Sequence, residues 1–241
     1  HKILYIAFIM KNKNNYDYLL SDLTQLTGVG KKTMAILKKK KVNNIFDLLW
    51  RLPKSYTDRS LSSKINELLV GNIHTIKVVP LKYNFPRVRN LPNRVNCEDE
   101  TGKIDCVFFN SYEGYIRKIL PLNEEVTVSG KISIFKNKYQ ITNPTYVSKD
   151  STVIEKIHNK YSLTEGISEK VYNKIITQIL KNLPILNEWH NEKILKLFGN
   201  EGWNSSIIKL HDPVNIGNYK SNFYRRLAYD EILSSFLVNS E

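Results

Sequence analysis

Cysteine is nearly absent: Cys97 and Cys106 are the only two in 241 residues. Two thiols supply neither a disulfide framework nor a four-ligand zinc site. They can face each other across a hairpin, and reduced core thiols are the expected state. The five histidines are scattered, with no His-x-His or His-Glu-x-x-His pattern, so no metal site is expected. Long apolar runs are missing too. The longest, His1 to Met10, falls well short of the ~20 residues a membrane helix needs. It resembles a short signal h-region but has no small-residue cleavage site after it. Residues 1–9 read as a tag remnant or a mis-called upstream start before Met10, and 1–15 as a disordered or extraneous start. A soluble, cytoplasmic protein without membrane contact is expected. Acidic side chains are the remaining shortage, with 23 Asp and Glu against 36 Lys and Arg, a net charge of +13. A balance of that size favours polyanionic partners through phosphate contacts and counterion release. The alternative source of the lysines is drift, because the chain is rich in Lys, Asn and Ile as in AT-rich genomes.

A phosphate-binding P-loop is also lacking. Gly28 to Thr33 approaches the pattern, but Gln25 stands where the first Gly belongs and Lys31-Lys32 break its end. No other stretch supplies it, so this chain is not expected to hydrolyse ATP.

What is present begins with a hairpin over 94–109. Val95 and Cys97, then Ile104, Cys106 and Phe108, alternate with Asn96, Glu98, Asp105, Val107 and Phe109 at the period of a strand. Thr101-Gly102 is the turn, with a glycine free to take positive φ. This parity predicts an inner face of Val95, Cys97, Ile104, Cys106 and Phe108. It leaves Val107 and Phe109 outside. An outward Phe109 in a basic protein is either a platform for a nucleobase or a side chain covered by another domain.

Before the hairpin, Tyr16 to Leu26 reads as a short helix. Leu26 to Leu37 reads as the turn of a helix-hairpin-helix, with Gly28 and Gly30 opening a helix whose Ala35 and Leu37 face inward. Backbone N–H groups at that helix start, with Lys31 and Lys32, offer an anion site; the other use of such a hairpin is packing alone. The motif ends with a turn and helix over 42–49, and Arg51 to Arg59 reads as a loop. Strands follow at 73–81, 94–99 and 103–109, then a helix at 111–120, then strands at 125–133 and 138–147. That order is the layout of an OB-fold, a small Greek-key barrel that binds oligonucleotides on one face and through its loops. Gly130 suits a bend or close approach at a barrel corner. The 83–89 loop mixes Tyr83, Phe85, Arg87 and Arg89, as base stacking with phosphate contact would require. Beyond 160 the chain turns helical: Ser168 caps a helix to about 182, a second runs over 189–198, a connector holds Trp203 and His211, and a last helix spans 219–238. His211 reads as a structural turn residue. The fold class is therefore α+β and multi-domain. It comprises a helical, helix-hairpin-helix-like region at 16–60, a five-stranded OB-fold barrel at 61–158 and a helical segment at 159–241.

Several stretches in order resemble the N-terminal part of the RecG family, bacterial ATP-dependent helicases of branched DNA. They are Leu26 to Gly30, Asp47 to Leu49, Leu52 to Arg59, Asp99 to Gly102, Phe108 to Asn110, Tyr161 to Ser168, Leu210 to Pro213 and Arg226 to Glu231. The resemblance implies that the barrel is a wedge set at the branch of a stalled fork or Holliday junction, in DNA repair and recombination. It implies that the Phe108-Phe109 pair stacks on opened bases, with Phe109 exposed and Phe108 in the core. Tyr112 would assist, and the 83–89 loop would act as a basic wedge loop, with Lys103 on the hairpin. The family's Walker motifs lie beyond the point where this chain stops. ATP and Mg2+ would belong to those motor lobes, and the expected partners are branched DNA and the lobes themselves, with a monomeric protein. Two other readings stay open: a stand-alone single-strand DNA or RNA module, and a protein-binding scaffold whose charge is drift.

Overall fold

The structure, a computed structural model, describes residues 13–88, 90–162 and 166–239, with side chains described between 16 and 237. The expectations for residues 1–12 and for Arg89 lie outside the described residues. The chain divides into two compact units, one of 57–158 and the other of 1–56 with 159–241.

The 57–158 unit is built on strands β2 (Ile73–Asn84), β3 (Asn93–Asp99), β4 (Gly102–Phe108), β5 (Val126–Phe135), β6 (Lys138–Thr142) and β7 (Tyr146–Ser148), with helix α4 (Glu113–Ile119) between β4 and β5. The strands lie in the order β2-β3-β4-β6-β5-β7, and β2 also pairs with β5. Five strands thus close a circuit of pairings, in which only β4–β6 is parallel. This is OB-fold connectivity. β2 serves two partners because it is long: residues 73–78 face β5 and 79–84 face β3, with an irregularity between Pro80 and Lys82. Proline has no N–H to give a ladder, so a bend falls naturally there.

All five residues expected on the inner face of the hairpin are buried, and they join Ile76, Val78, Val126, Val128, Ile132 and Ile141 in one core. The thiols of Cys97 and Cys106 lie 3.9 Å apart inside it. That hydrogen bond, with burial, holds the Cys97 thiol well above its ordinary pKa. Val107 departs from the parity expected for it and is 1% exposed. β4 is a central strand, and Val107 sits in register between Arg94 of β3 and Thr142 of β6, so its outward face is still flanked on both sides. The 99–102 turn forms by a different device from the one expected. Gly102 is not among the positive-φ residues. Asp99 Oδ1 instead accepts from the N–H groups of Thr101 (2.7 Å) and Gly102 (2.9 Å). Glycine is needed because a Cβ there would meet Ile65 Cγ2 at 2.9 Å. The strand expected over 138–147 is two strands. Asn143 takes φ +45° between them, so β6 and β7 pair with different stretches of β5.

The other unit holds α1 (Lys13–Leu20), α2 (Lys31–Lys39), α3 (Ile45–Leu49), α5 (Glu169–Lys181), α6 (Glu192–Lys196), α7 (Trp203–Leu210) and α8 (Asn222–Asn239). Residues from both helical stretches of the sequence build one core, Leu23, Leu37 and Leu49 with Ile175, Ile179, Ile207 and Leu227. Ser168 caps α5, its side chain accepting from the Val171 N–H. Helix α7 lies in what reads as a connector. Its buried Trp203, Ser206, Ile207 and Leu210 have helical spacing, but Asn204-Ser205-Ser206 are weak helix formers that blur the pattern. In α2 the inward residues are Met34 and Leu37, while Ala35 is exposed. β1 (Ser55–Asp58), in the expected 51–59 loop, and β8 (Ile157–Lys160) form a separate two-stranded sheet.

Candidate nucleic-acid interface

One peptide step at the end of β4 separates core from surface. Phe108 is 5% exposed and packs in the barrel core, whereas Phe109 is 46% exposed. Two hydrogen bonds from one residue fix that step. The Phe109 N–H donates to Asn143 Oδ1 (2.9 Å), and the Asn143 N–H donates to the Val107 carbonyl (2.7 Å). Asn110 and Asn143 both adopt left-handed φ, +58° and +45°, where asparagine is tolerated better than most residues. Asn93 Nδ2 donates to the Ser111 carbonyl at 2.8 Å and holds the exit toward α4. Tyr112, at the N-cap of α4, is 76% exposed, with its ring 6.1 Å from that of Tyr115, also exposed. Phe109 and Tyr112 are therefore exposed aromatics on a short connection pinned at both ends. Such rings suit stacking on planar groups.

The other residues singled out from the sequence fall elsewhere. Phe108 presents no face for stacking, because it is core. Tyr83 and Phe85 are not on an open loop. Tyr83 lies in β2, the two rings stack on each other at 5.1 Å, and Arg117 covers both at 4.6 and 5.0 Å. Tyr83 also donates its hydroxyl to the Leu120 carbonyl (2.7 Å), and both rings pack against the barrel core. Arg87 is exposed. Lys103 is exposed beside Glu98 at 3.7 Å, an arrangement that contributes little to stability. In the helical unit, Gly28 takes φ +98° and Gly30 is the N-cap of α2, with Lys31 and Lys32 exposed on its first turn. The hairpin is tied to α5, since the Thr27 N–H donates to Gln178 Oε1 at 3.0 Å. Its backbone is not an open phosphate cradle: the N–H groups of Leu26 and Val29 are spent on the carbonyls of Leu23 and Leu26. The residues present do not fit a nucleotide triphosphate.

Sequence reasoning did not single out Asn143 and Asn93, which set the Phe109 connection. It also passed over Phe135 and Arg94 on the outward face of the barrel. Phe135 is 48% exposed, and the Arg94 guanidinium lies 5.2 Å from its ring centre. The signal available was Phe135-Lys136-Asn137-Lys138, an aromatic beside an asparagine turn between two lysines. The asparagines gave no periodic signal, because their roles depend on partners distant in the chain.

His211 is buried and structural. Its Nε2 faces the Leu49 carbonyl at 2.8 Å, and Nδ1 faces the Tyr161 hydroxyl at 2.9 Å. A carbonyl only accepts, so Nε2 carries the proton and Nδ1 receives one from Tyr161. Burial pushes its pKa down to about 4, although the bond to Leu49 works the other way. Among the described residues no group of three or more His, Cys, Asp or Glu is placed to hold a metal ion. No helix among them is long and apolar enough to cross a membrane.

Fold and site define an α+β protein with an OB-fold barrel that carries pinned, exposed aromatics. The RecG wedge domain model matches residues 22–183, and the chain belongs to that family. It is 30% identical over 203 residues to the ATP-dependent DNA helicase RecG of Staphylococcus epidermidis, covering 81% of this chain and 29% of that one. The corresponding helicase of Staphylococcus aureus is 27% identical, with 79% and 28% covered. A solved structure of RecG bound to a three-way DNA junction superposes with a TM-score of 0.68 at 27% identity, covering 88% of this chain and 30% of that one. The chain spans less than a third of the length of the relatives it matches.

Proposed function

We propose that this chain is the branched-DNA-binding part of a RecG-type helicase, and that Phe109 stacks on a base opened at the branch. The observation that carries the reading is the split at the end of β4. One phenylalanine is sunk in the core, and the next is half exposed on a connection pinned by Asn143. Exposing a phenylalanine to water is unfavourable, and stacking on a base recovers that contact. Tyr112 adds a second ring, and the net charge of +13 supplies attraction for phosphates. Arg87, Lys103 and the Gly28–Lys32 hairpin are assigned to phosphate contact in this reading. ATP and Mg2+ belong to the helicase portion of the parent, which is also the intramolecular partner. This chain binds without hydrolysing ATP, in a parent that acts as a monomer on forks and Holliday junctions in repair and recombination.

The test is a titration with a three-way fork, a duplex and a single strand of equal length, at two salt concentrations. The expected result is tightest binding to the fork, with affinity falling as salt rises. Phe109→Ala is expected to cost about 1–3 kcal/mol on the fork, the scale of one base–aromatic contact, and more than Phe108→Ala at matched stability. Equal affinity for fork and single strand would favour a stand-alone single-strand module. Binding insensitive to salt would point to a protein scaffold.

A further inference from the structure

A groove of about 440 Å³ opens on the barrel between the loop after β2 and the β5–β6 hairpin. Its size falls within the ~300–1,000 Å³ of ordinary ligand clefts. Pro86, Leu91 and Pro92 form one wall, and Phe135, Lys136 and Lys138 form the other. Arg94 and Asp105 also line it. We propose that this groove is a second binding site, one for single-stranded DNA, in which Phe135 carries a base and Arg94, Lys136 and Lys138 meet the phosphates. The inference rests on the reading of the chain as DNA-binding, but not on Phe109.

Three observations converge on it. Phe135 remains half exposed although the Arg94 guanidinium lies 5.2 Å and Lys136 Nζ 5.6 Å from its ring centre. Part of the ring is therefore open to a second planar group, inside a cationic surround. Arg94 is held in place rather than waving in solvent. Its Nη1 lies 3.3 Å from Gln140 Oε1 and 3.6 Å from Asp105 Oδ2, and Asp105 also accepts from Asn96 Nδ2 at 2.5 Å. A guanidinium fixed beforehand loses little freedom when it meets a phosphate. Third, the hairpin turn places Lys136 at φ +49° and Asn137 at φ +58°. Asparagine and glycine are at home there and lysine is not, so local turn chemistry does not explain the lysine. The groove carries three cations against one carboxylate, and that carboxylate is already engaged. An acidic peptide would satisfy the charges but not the flat, half-open ring.

Asp105 and Phe109 share strand parity on β4, four positions apart, which sets them about 13 Å from each other along the strand. An unpaired strand leaving a branch at Phe109 reaches the groove within a few nucleotides.

The test uses the full chain and a labelled oligothymidylate of about twelve nucleotides, within the usual OB-fold site size, followed by fluorescence anisotropy at two salt concentrations. Phe135→Ala is expected to weaken binding by about 5- to 100-fold, and by a larger factor than Phe109→Ala. Lys138→Glu is expected to weaken binding and flatten its salt dependence. The three tryptophans, Trp50, Trp189 and Trp203, all lie outside the 57–158 unit. Phe135→Trp therefore places a reporter in the groove, and its fluorescence should be quenched by the oligonucleotide beyond any change in the wild type. Absence of that quenching overturns the proposal, even if Phe135→Ala fails to fold. So does unchanged affinity in a folded Phe135→Ala, an equal or larger loss in Phe109→Ala, or displacement of the oligonucleotide by an oligo-aspartate peptide. Oligothymidylate binding that depends on Phe135, without any preference for forks, would sink the branch reading and leave this site standing.

Discussion

Between Phe108 and Phe109 the chain turns one ring into the core and leaves the next exposed, and Asn143 makes that turn reproducible. Asn143 comes from the β6–β7 junction, takes a left-handed φ, and gives both a donor and an acceptor to the end of β4. Replacing it with alanine removes an acceptor worth about 1 kcal/mol and strains the left-handed position. The expected outcome is weaker fork binding than wild type with the fold retained. Asn143→Asp, which keeps the acceptor, should recover most of the affinity. A double-mutant cycle checks the link: in a Phe109→Ala background, Asn143→Ala should cost little further binding energy. An additive loss would mean that Asn143 acts elsewhere. At this scale the exposed Phe109 was legible in strand parity. Tyr83 and Phe85 were misplaced, because their stacking and the cover by Arg117 depend on α4, a separate element.

Elements show the same division. The 94–109 hairpin announces itself through alternation, and its inner face is as expected. Its turn rests on the Asp99 carboxylate. Burial works upward on that group, but hydrogen bonds from Thr101, Ile65 and Gly102 outweigh it and hold its pKa below the ordinary carboxylate value. The expected corner at Gly130 is a close approach, where a Cβ would stand 2.5 Å from Ile141 Cγ2 and 3.4 Å from Pro144 Cα. Gly130→Ala must displace β6 or the residues after it. It should destabilise the chain by about 1–3 kcal/mol, the usual cost of overpacking, read by chemical denaturation. An unchanged midpoint would show that Ile141 can rotate away freely. The strand expected over 138–147 breaks at Asn143, since pairing with two different stretches of β5 is not written in local alternation.

The whole molecule is held by contacts that ignore sequence distance. Arg226, fully buried in α8, pairs with Asp230 and with Glu188 (2.7 Å), and His190 meets Asp230 at 2.6 Å. Burial still raises the Asp230 pKa against those partners. His211 joins the C-terminal helices to Leu49 and Tyr161, and it needs to be neutral to do so. Its folded pKa of about 4 lies below the ordinary 6.5, so the unfolded chain binds more protons between those values. Stability is then fully present above pH 6.5 and is lost as pH falls toward 4, by about 3 kcal/mol for this residue. His74 and His158, both lowered chiefly by burial, act in the same direction. Denaturant midpoints should fall from pH 7 to pH 4.5. His211→Gln should be less stable at pH 7 and show a shallower fall; an unchanged slope would place the pH dependence elsewhere.

By itself the sequence determined what periodicity and local turn chemistry control: the order of strands and of all but one of the longer helices, the inner face of the hairpin, the cap at Ser168 and the exposure of Phe109. Each depends on neighbours a few positions away. Only tertiary structure decided that the two helical stretches share one core, that Val107 and Arg226 are buried, that Tyr83 and Phe85 are covered, and that Arg94 and Phe135 flank a groove. These outcomes come from residues far apart in the chain, whose closeness exists only once the strands have paired and the helices have packed.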